Sequence, residues 1–487
     1  MTMFSRVLGL ARDVILAAVI GASANADAFF IAFKIPNFLR RLFAEGAFAQ
    51  AFVPVLAQCR ENGGQAAVRA LVDRVAGVLS GVLLMLTAFT LLAAPLIAGL
   101  FAPGYIAQPE KFALTTDLIR ITFPYLMLIS LTGMCGAILN SYGRFAVPAF
   151  TPVLLNLSMI GAALLAAPYF AEPAFALAWG VLFAGLIQLL FQMPFLYRLE
   201  LVPKPRWEPS HPGVRQVMTL MIPALFGVSV SQLNLLFDTV LASFLPTGSV
   251  SWLYYSDRLT ELPLGVFAIA VATVIMPTLA SHKSAAREED FSRTLDWAVR
   301  CVLLVGVPAS LALLILAKPI LISLFHYGAL SERDISMSAL SLRAYSLGLC
   351  AFMLIKVLAP GFYARQDMVT PVRIGIRAML ANMVLNVIFV VPLMLYFDVG
   401  HVGLALATSL SAFLNAGLLW KGLVHEGIYK FDLIWRRYLI RLSVACTCMA
   451  VALYFAAPDP AVWLAWRWDV RALNMLLLCG LGLGVYL

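Results

Sequence analysis

Apolar runs of about 20 residues recur from one end of the chain to the other, each long enough at about 1.5 Å per residue to cross a hydrocarbon layer of about 30 Å. A water-soluble fold cannot cover a core of that kind. Of 487 residues, 62% are hydrophobic and only 12% charged, against roughly a quarter charged in a soluble domain. The expected fold is therefore an all-α integral membrane protein with no separate soluble domain. Hydropathy, punctuated by Gly, Pro and charge, predicts fourteen helices. They lie near 3–20, 26–57, 76–101, 118–141, 148–167, 174–197, 215–245, 250–281, 296–325, 336–363, 373–396, 401–423, 435–456 and 471–487.

Lys and Arg between these segments set the orientation, because cytoplasmic loops carry the excess. The alternate loops 58–74, 143–147, 198–215, 282–293, 364–373 and 421–437 hold 17 of them. The opposite set, including 102–117, 326–334 and 457–471, holds 4. Both termini are expected in the cytoplasm. The net charge of +9 is split among short loops, so it reports topology and not a nucleic-acid partner. The seven cysteines lie mostly in apolar stretches without metal-ligand spacing and read as small core residues. His211, His282, His326, His401 and His425 fall in or beside loops, which argues against an intramembrane histidine relay. Arg6, Arg12 and Asp13 interrupt the apolar N-terminus and no small-residue cleavage site follows, so it reads as a first helix and not a signal peptide.

An internal repeat emerges when the chain is slid by about 223 residues. FVPVLAQ, with Pro54, meets VIMPTLAS, with Pro277. APLIAGLFAPG, with Pro95 and Phe101, meets KPILISLFHYG, with Pro319 and Phe325. NSYGRFAVP, with Tyr142, Arg144 and Pro148, meets GFYARQDMVTP, with Tyr363, Arg365 and Pro371. Six helices per repeat is an even number, so both copies enter the membrane from the same side and are related by an axis along the membrane normal. The expected organisation is two pseudo-symmetric six-helix lobes, 1–198 and 199–424, facing a midline cavity, with a further helix pair at 425–487.

The second segment carries Asp27, Lys34, Arg40, Arg41 and Glu45. At about 2.5 to 3.5 kcal/mol for each charge at a helix centre in lipid, these side chains must face water or one another. At about 100° per residue, Asp27, Lys34, Arg41 and Glu45 fall within about 40° of each other, although Pro36 can kink the stripe. The first helix adds Arg6 and Asp13 on one face, with Arg12 beside them. In the second repeat, Asp257, Arg258 and Glu261 share about one quadrant. These charges fit a hydrated, net-cationic cavity suited to an anionic headgroup such as a pyrophosphate, since the arginine fork matches phosphate oxygens. The alternative reading is salt bridges that merely lock the lobes together. Trp252, Tyr254 and Tyr255 read as packing or interfacial aromatics, and Arg144 and Arg365 as anchors at short cytoplasmic turns.

The sequence has no P-loop, nucleophile elbow or zinc motif. Transport would be driven by an ion, by voltage or by the substrate's own gradient, and the chain reads as a transporter, not an enzyme. Asp238, an acid in the middle of SVSQLNLLFDTVLASF, needs a partner. Asn382 and Asn386 share a helix face, and Thr408 adds a hydroxyl one helix on. With a backbone carbonyl near Leu404 they offer oxygens suited to a hard monovalent cation such as Na+. The other reading is a polar clamp between helices. No further cofactor is expected.

The stretch from MTMFSRVLGLARD through DAFFIAFK-PN-LRR-FAEGAF-QAFVPVLA resembles the MurJ (MviN) lipid II flippase family of the MOP exporter superfamily, and SVSWLYYSDRLTELPLGV and LAPGFYARQDMVTPV extend the resemblance over nearly the whole chain. It implies a V-shaped alternating-access flippase exporting lipid II, the undecaprenyl-pyrophosphate-linked peptidoglycan precursor, across the bacterial inner membrane. It implies cavity arginines at Arg6, Arg12, Arg40 and Arg258, acidic partners at Asp27, Glu45 and Glu261, and Asp13, Lys34, Arg41 and Ser251 nearby. Some members hold a sodium ion between the helices that correspond to those of Asp238 and the asparagines. The last two helices of the family help form a groove for the polyprenyl tail. Membrane lipids and cell-wall synthesis proteins are the other implied partners. The start close to SRVLG and the end at Leu487 inside an apolar run lead us to expect an incomplete first helix or misassigned start, and a shortened last helix. The competing readings are another MOP-type exporter, either an O-antigen-type flippase or a drug/cation antiporter, and a membrane glycosyltransferase or polymerase. The arginine excess counts against the antiporter. The short extracytoplasmic loops, about 15 residues at most, leave little room for an enzyme's catalytic site.

Overall fold

The computed structural model describes residues 2–41, 48–285, 287–429 and 434–487; of residues 2, 3, 223–232 and 434 it describes the backbone. Among the described residues there are helices and no strands. The chain divides into two compact units, Met1–Val250 and Ser251–Leu487.

The first unit contains α1 (Thr2–Ile20), α2 (Ala24–Arg40), α3 (Phe48–Leu92), α4 (Ala94–Phe101), α5 (Pro109–Thr122), α6 (Tyr125–Ser141), α7 (Ala146–Gly161), α8 (Pro173–Tyr197) and α9 (Pro212–Ser243). α10 (Ser249–Pro263) begins at its end. The second contains α11 (Ile269–Ser284), α12 (Glu288–Ile315), α13 (Ala317–Phe325), α14 (Glu332–Tyr363), α15 (Val369–Phe397), α16 (Gly400–His425), α17 (Ile434–Ala456), α18 (Pro460–Ala465) and α19 (Trp468–Tyr486). Eleven helical stretches among the described residues are long and apolar enough to cross a membrane. Of the other three segments expected from hydropathy, the first is α1, loaded with Arg6, Arg12 and Asp13; 26–57 and 215–245 run partly outside the described residues or their side chains.

The repeat seen in the sequence is legible in local structure within each unit. Pro148 is the third residue of α7 and Pro371 the third residue of α15; Phe101 and Phe325 are the last residues of the short helices α4 and α13. Pro95 lies in the first turn of α4 and Pro319 in that of α13, positions where a missing N–H costs a helix nothing. Packing repeats too: α8 lies against α6 and α7, and α16 against α14 and α15.

Two expectations need revision. Residues 58–74, expected as a loop, are helical and continue α3, whose only non-helical residue is Gly64 at φ 63°. That left-handed conformation is open to glycine without strain and lets the polar stretch kink where a loop was anticipated. Cysteines also depart from a uniform core role: Cys135 and Cys446 are buried, but Cys448 and Cys479 are exposed on α17 and α19.

α9 packs on α3, so the first compact unit runs through α9 and past the 198/199 repeat boundary. The segment between α8 and α9 is bound along α3 as well. Asp73 accepts the Lys204 N–H on its carboxylate (2.8 Å) and the Arg206 N–H on its carbonyl (2.9 Å). Gly77 and Gly81 leave room for it, since a Cβ there would come within 2.1 Å of Arg206 backbone and 2.2 Å of the Trp207 ring. The first unit's core joins α3, α6, α8 and the start of α9 around Phe52, Leu71, Ile138 and Leu196. The second unit's core joins α11, α12, α14 and α16 around Leu279, Leu295, Leu358 and Leu419.

Candidate functional site

In the first unit the charged stripe of α1 and α2 resolves into two buried clusters. α2 begins at Ser23, whose hydroxyl accepts the Ala26 N–H (3.3 Å), and its first turn carries Asp27, where a carboxylate complements the helix dipole. Asp27 is 1% exposed and takes the Lys111 ammonium at 3.0 Å, while the Gly248 N–H donates to the same oxygen at 2.8 Å. Lys111, on the first turns of α5, also donates to Thr247 (3.3 Å) and lies 4.1 Å from the centre of the Tyr105 ring. Burial next to that carboxylate pushes the Tyr105 phenol well above its ordinary range. The cluster ties α2, α5 and the turn after α9 together.

The second cluster joins α1 to α7. Arg12, 6% exposed, grips Asp13 through Nε (2.9 Å) and Nη2 (2.6 Å) and donates through Nη1 to Asn156 (3.0 Å). Asn156 in turn donates to the Ser5 carbonyl (3.2 Å). The sequence places Arg12 among the arginines of a hydrated cavity; here its side chain is enclosed by Asp13 and Asn156. Arg6 and Arg40 are half-buried, Lys34 and Arg41 exposed. Glu45 lies outside the described residues.

The second unit places Arg258 half-buried on α10, one turn from Glu261 (2.8 Å) and over the Tyr254 ring (4.8 Å). Asp257 is exposed and Ser251 fully buried. Arg258 therefore has both an acid and an aromatic face, and 32% of its side chain remains open. Trp252 donates to Asp334 (2.9 Å), itself the partner of Ser331 in the capping box that starts α14. Trp252 and Tyr255 are packing residues, as expected: Trp252 lies 4.8 Å from His401, and Tyr255 lies 5.3 Å from Phe325.

Of the residues considered for a cation, Asn382 and Asn386 are buried on α15 (1% and 0% exposed). Asn382 accepts the Ser411 hydroxyl at 3.4 Å, and Thr408 donates to the Leu404 carbonyl at 2.9 Å. α15 and α16 pack along their length, which brings this polar set onto one helix pair. Asp238, in the first unit, is half-buried and accepts from Asn234 at 3.4 Å.

Sequence reasoning missed three polar groups. Lys111 was visible only as the one Lys or Arg of residues 102–117, and Asn156 carried no signal. Arg471, 6% exposed, donates to the carbonyls of Trp463 (2.9 Å), Leu464 (3.0 Å), His326 (3.3 Å) and Ile322 (3.4 Å), closing the C-terminal ends of α13 and α18 and seating α19.

Comparison with known proteins decides which family carries this arrangement. The profile of the family described as "Lipid II flippase MurJ" matches residues 16–464. A Vibrio cholerae serotype O1 protein named "Probable lipid II flippase MurJ" is 49% identical over 496 aligned residues, covering 100% of this chain and 93% of its own length. The chain belongs to the MurJ family. A Burkholderia cenocepacia relative named "Lipid II flippase MurJ" is 42% identical, covering 94% of this chain and 88% of its own. Among solved structures, "Lipid II flippase MurJ, inward closed conformation" superposes with a TM-score of 0.82 at 27% identity, over 100% of this chain and 96% of that one. An inward-facing multidrug resistance MATE transporter of the MOP superfamily follows at a TM-score of 0.70 and 16% identity, covering 87% of this chain and 95% of that one, a likeness of fold alone. The MurJ family resemblance read from the first helices thus extends across the chain, and its members are multi-pass membrane transporters.

Proposed function

We propose that this protein moves lipid II across the bacterial inner membrane by alternating access, with both termini in the cytoplasm. The observation that carries the reading is the family match over nearly the whole chain, joined to cationic side chains held inside membrane-spanning helices. The orientation rests on the 17 Lys and Arg in one loop set against 4 in the other.

Arg258, Arg6 and Arg40 are the phosphate-binding groups of this reading. Each is half-buried, and the Arg258 side chain stays 32% exposed beside its ion pair with Glu261, which leaves guanidinium surface for a pyrophosphate. Arg12 joins them only in a conformation that opens its contacts with Asp13 and Asn156. Asp27 and Lys111 act as a latch on the turn at Thr247 and Gly248: a buried, hydrogen-bonded pair is stable in one conformation and expensive to break singly, which is the property a two-state gate requires. Ser251, Asp257 and Glu261 shape the charge around Arg258 in the second unit, and Lys34 and Arg41 add positive charge on α2 in the first.

Na+ is the coupling ion of this reading. Asn382, Asn386, the Leu404 carbonyl and Thr408 form a neutral oxygen set suited to a hard monovalent cation, and Asp238 is the acid that the sequence reading assigned to the same ion. Its binding energy would reset the empty transporter. The test of the function is depletion: cells losing the protein should accumulate lipid II inaccessible at the outer leaflet. Unchanged outer-leaflet lipid II after depletion rejects the flippase reading.

A further inference from the structure

At one end of the second unit, three turns line a partly open cavity of about 50 Å³ that none of the transport residues lines. His282 and Lys283 enter it from the end of α11, Arg287 from the start of α12, and Arg365 from the turn after α14. The two acids present are Glu288 and Glu426. Glu426 is already neutralised, with its carboxylate 2.5 Å from Arg365. Among the described residues neither Lys283 nor Arg287 has a carboxylate within ion-pair distance, so the cavity keeps an uncompensated positive charge.

The turns are built to hold this shape. The Arg287 N–H donates to the His282 carbonyl (2.9 Å), and Gly427, at φ 68°, lets the chain reverse after α16 so that the Ile428 N–H reaches the Leu423 carbonyl (3.1 Å). Phe291 and Ile428 give the cavity an apolar wall. Its depth is fixed by the chain itself: three apolar spans end at Ser284, Tyr363 and His425, and the lining residues lie within a few residues of those ends. That is the level of lipid headgroups, where basic pockets between membrane helices on the cytoplasmic side receive anionic phosphates.

We infer that this cavity is a binding site for the phosphate of a lipid headgroup in the cytoplasmic leaflet, held by Lys283, Arg287 and His282, with its first methylenes against Phe291 and Ile428. The side of the membrane rests on the orientation proposed above; the binding itself does not depend on transport. The lipid phosphate could belong to bulk anionic phospholipid or to the polyprenyl carrier, and the experiment separates them.

Purified full-length protein in neutral detergent is titrated with phosphatidylglycerol, phosphatidylcholine, undecaprenyl pyrophosphate or inorganic phosphate, and thermal unfolding is followed. The same series is run on Lys283→Gln/Arg287→Gln, whose altered side chains are both exposed, and on Arg293→Gln, a 78% exposed arginine outside the cavity. Phosphatidylglycerol should stabilise the unmodified protein and Arg293→Gln alike, and the double variant should need roughly tenfold more lipid. The same shift in dependence for undecaprenyl pyrophosphate, at tenfold lower concentration than phosphatidylglycerol, assigns the site to the carrier; a weaker one assigns it to bulk lipid. Lipid stabilisation unchanged in the double variant, or matched by inorganic phosphate or phosphatidylcholine, overturns the site. Neither result bears on depletion of outer-leaflet lipid II, so failure here and failure of the flippase reading are distinguishable.

Discussion

The carboxylate of Asp27 and the ammonium of Lys111 stand 3.0 Å apart with side chains only 1% and 4% exposed, although 84 residues separate them in sequence. Removing one partner leaves a buried charge alone, which costs about 3–5 kcal/mol, whereas removing both is far cheaper. Lys111→Met should therefore unfold at a markedly lower temperature, and Asp27→Asn/Lys111→Met should regain most of the loss. An unchanged melting temperature for Lys111→Met would show that the pair carries no such weight.

In the proposed flippase reading, Arg258 would offer its open side to the substrate phosphate, a charge-assisted contact worth about 1.5–3 kcal/mol. Arg258→Ala should cut transport about tenfold or more while the protein still reaches the membrane in normal amounts. The check is growth with the variant as the sole copy, alongside a membrane immunoblot. Normal growth at normal expression removes Arg258 from the headgroup site.

Sodium binding should appear as ion-specific stabilisation, because a ligand that binds only the folded state raises its stability with concentration. Na+ should raise the melting temperature more than K+ or choline at equal ionic strength, and Asn386→Leu or Asp238→Asn should erase the difference. If Na+ and K+ act alike on the unmodified protein, the polar residues are a clamp between helices.

The turn after α14 supplies a pH-dependent contact outside the membrane spans. The Thr370 hydroxyl and N–H, followed by the Val369 N–H, hold the Asp367 carboxyl below its ordinary value of 3.8. A depressed carboxylate contributes stability that is fully present above its unfolded pKa and is lost as pH falls through the folded one. Amide protection at Val369 and Thr370, corrected for intrinsic exchange, should hold at pH 5–7 and drop below about pH 4. In Asp367→Asn it should show no such step.

Helix existence, the matching proline positions of the repeat and the charges within apolar helices were legible in the sequence, because they depend on local composition and on prolines that reappear in order. Pro148 and Pro371 mark the third residues of α7 and α15 as their spacing implied, and Arg258 and Glu261 meet because three residues on a helix share a face. The kink at Gly64 escaped because a polar stretch reads as a loop whether or not its backbone stays helical. Which charge meets which was decided by tertiary structure alone. Asp27 required a partner by burial energetics, yet nothing local named Lys111; nor did anything local name Asn156, which the packing of α1 on α7 sets beside Arg12. Hydropathy and periodicity register a residue's own preference and its near neighbours, whereas an ion pair depends on the positions of two helices that only long-range packing can fix.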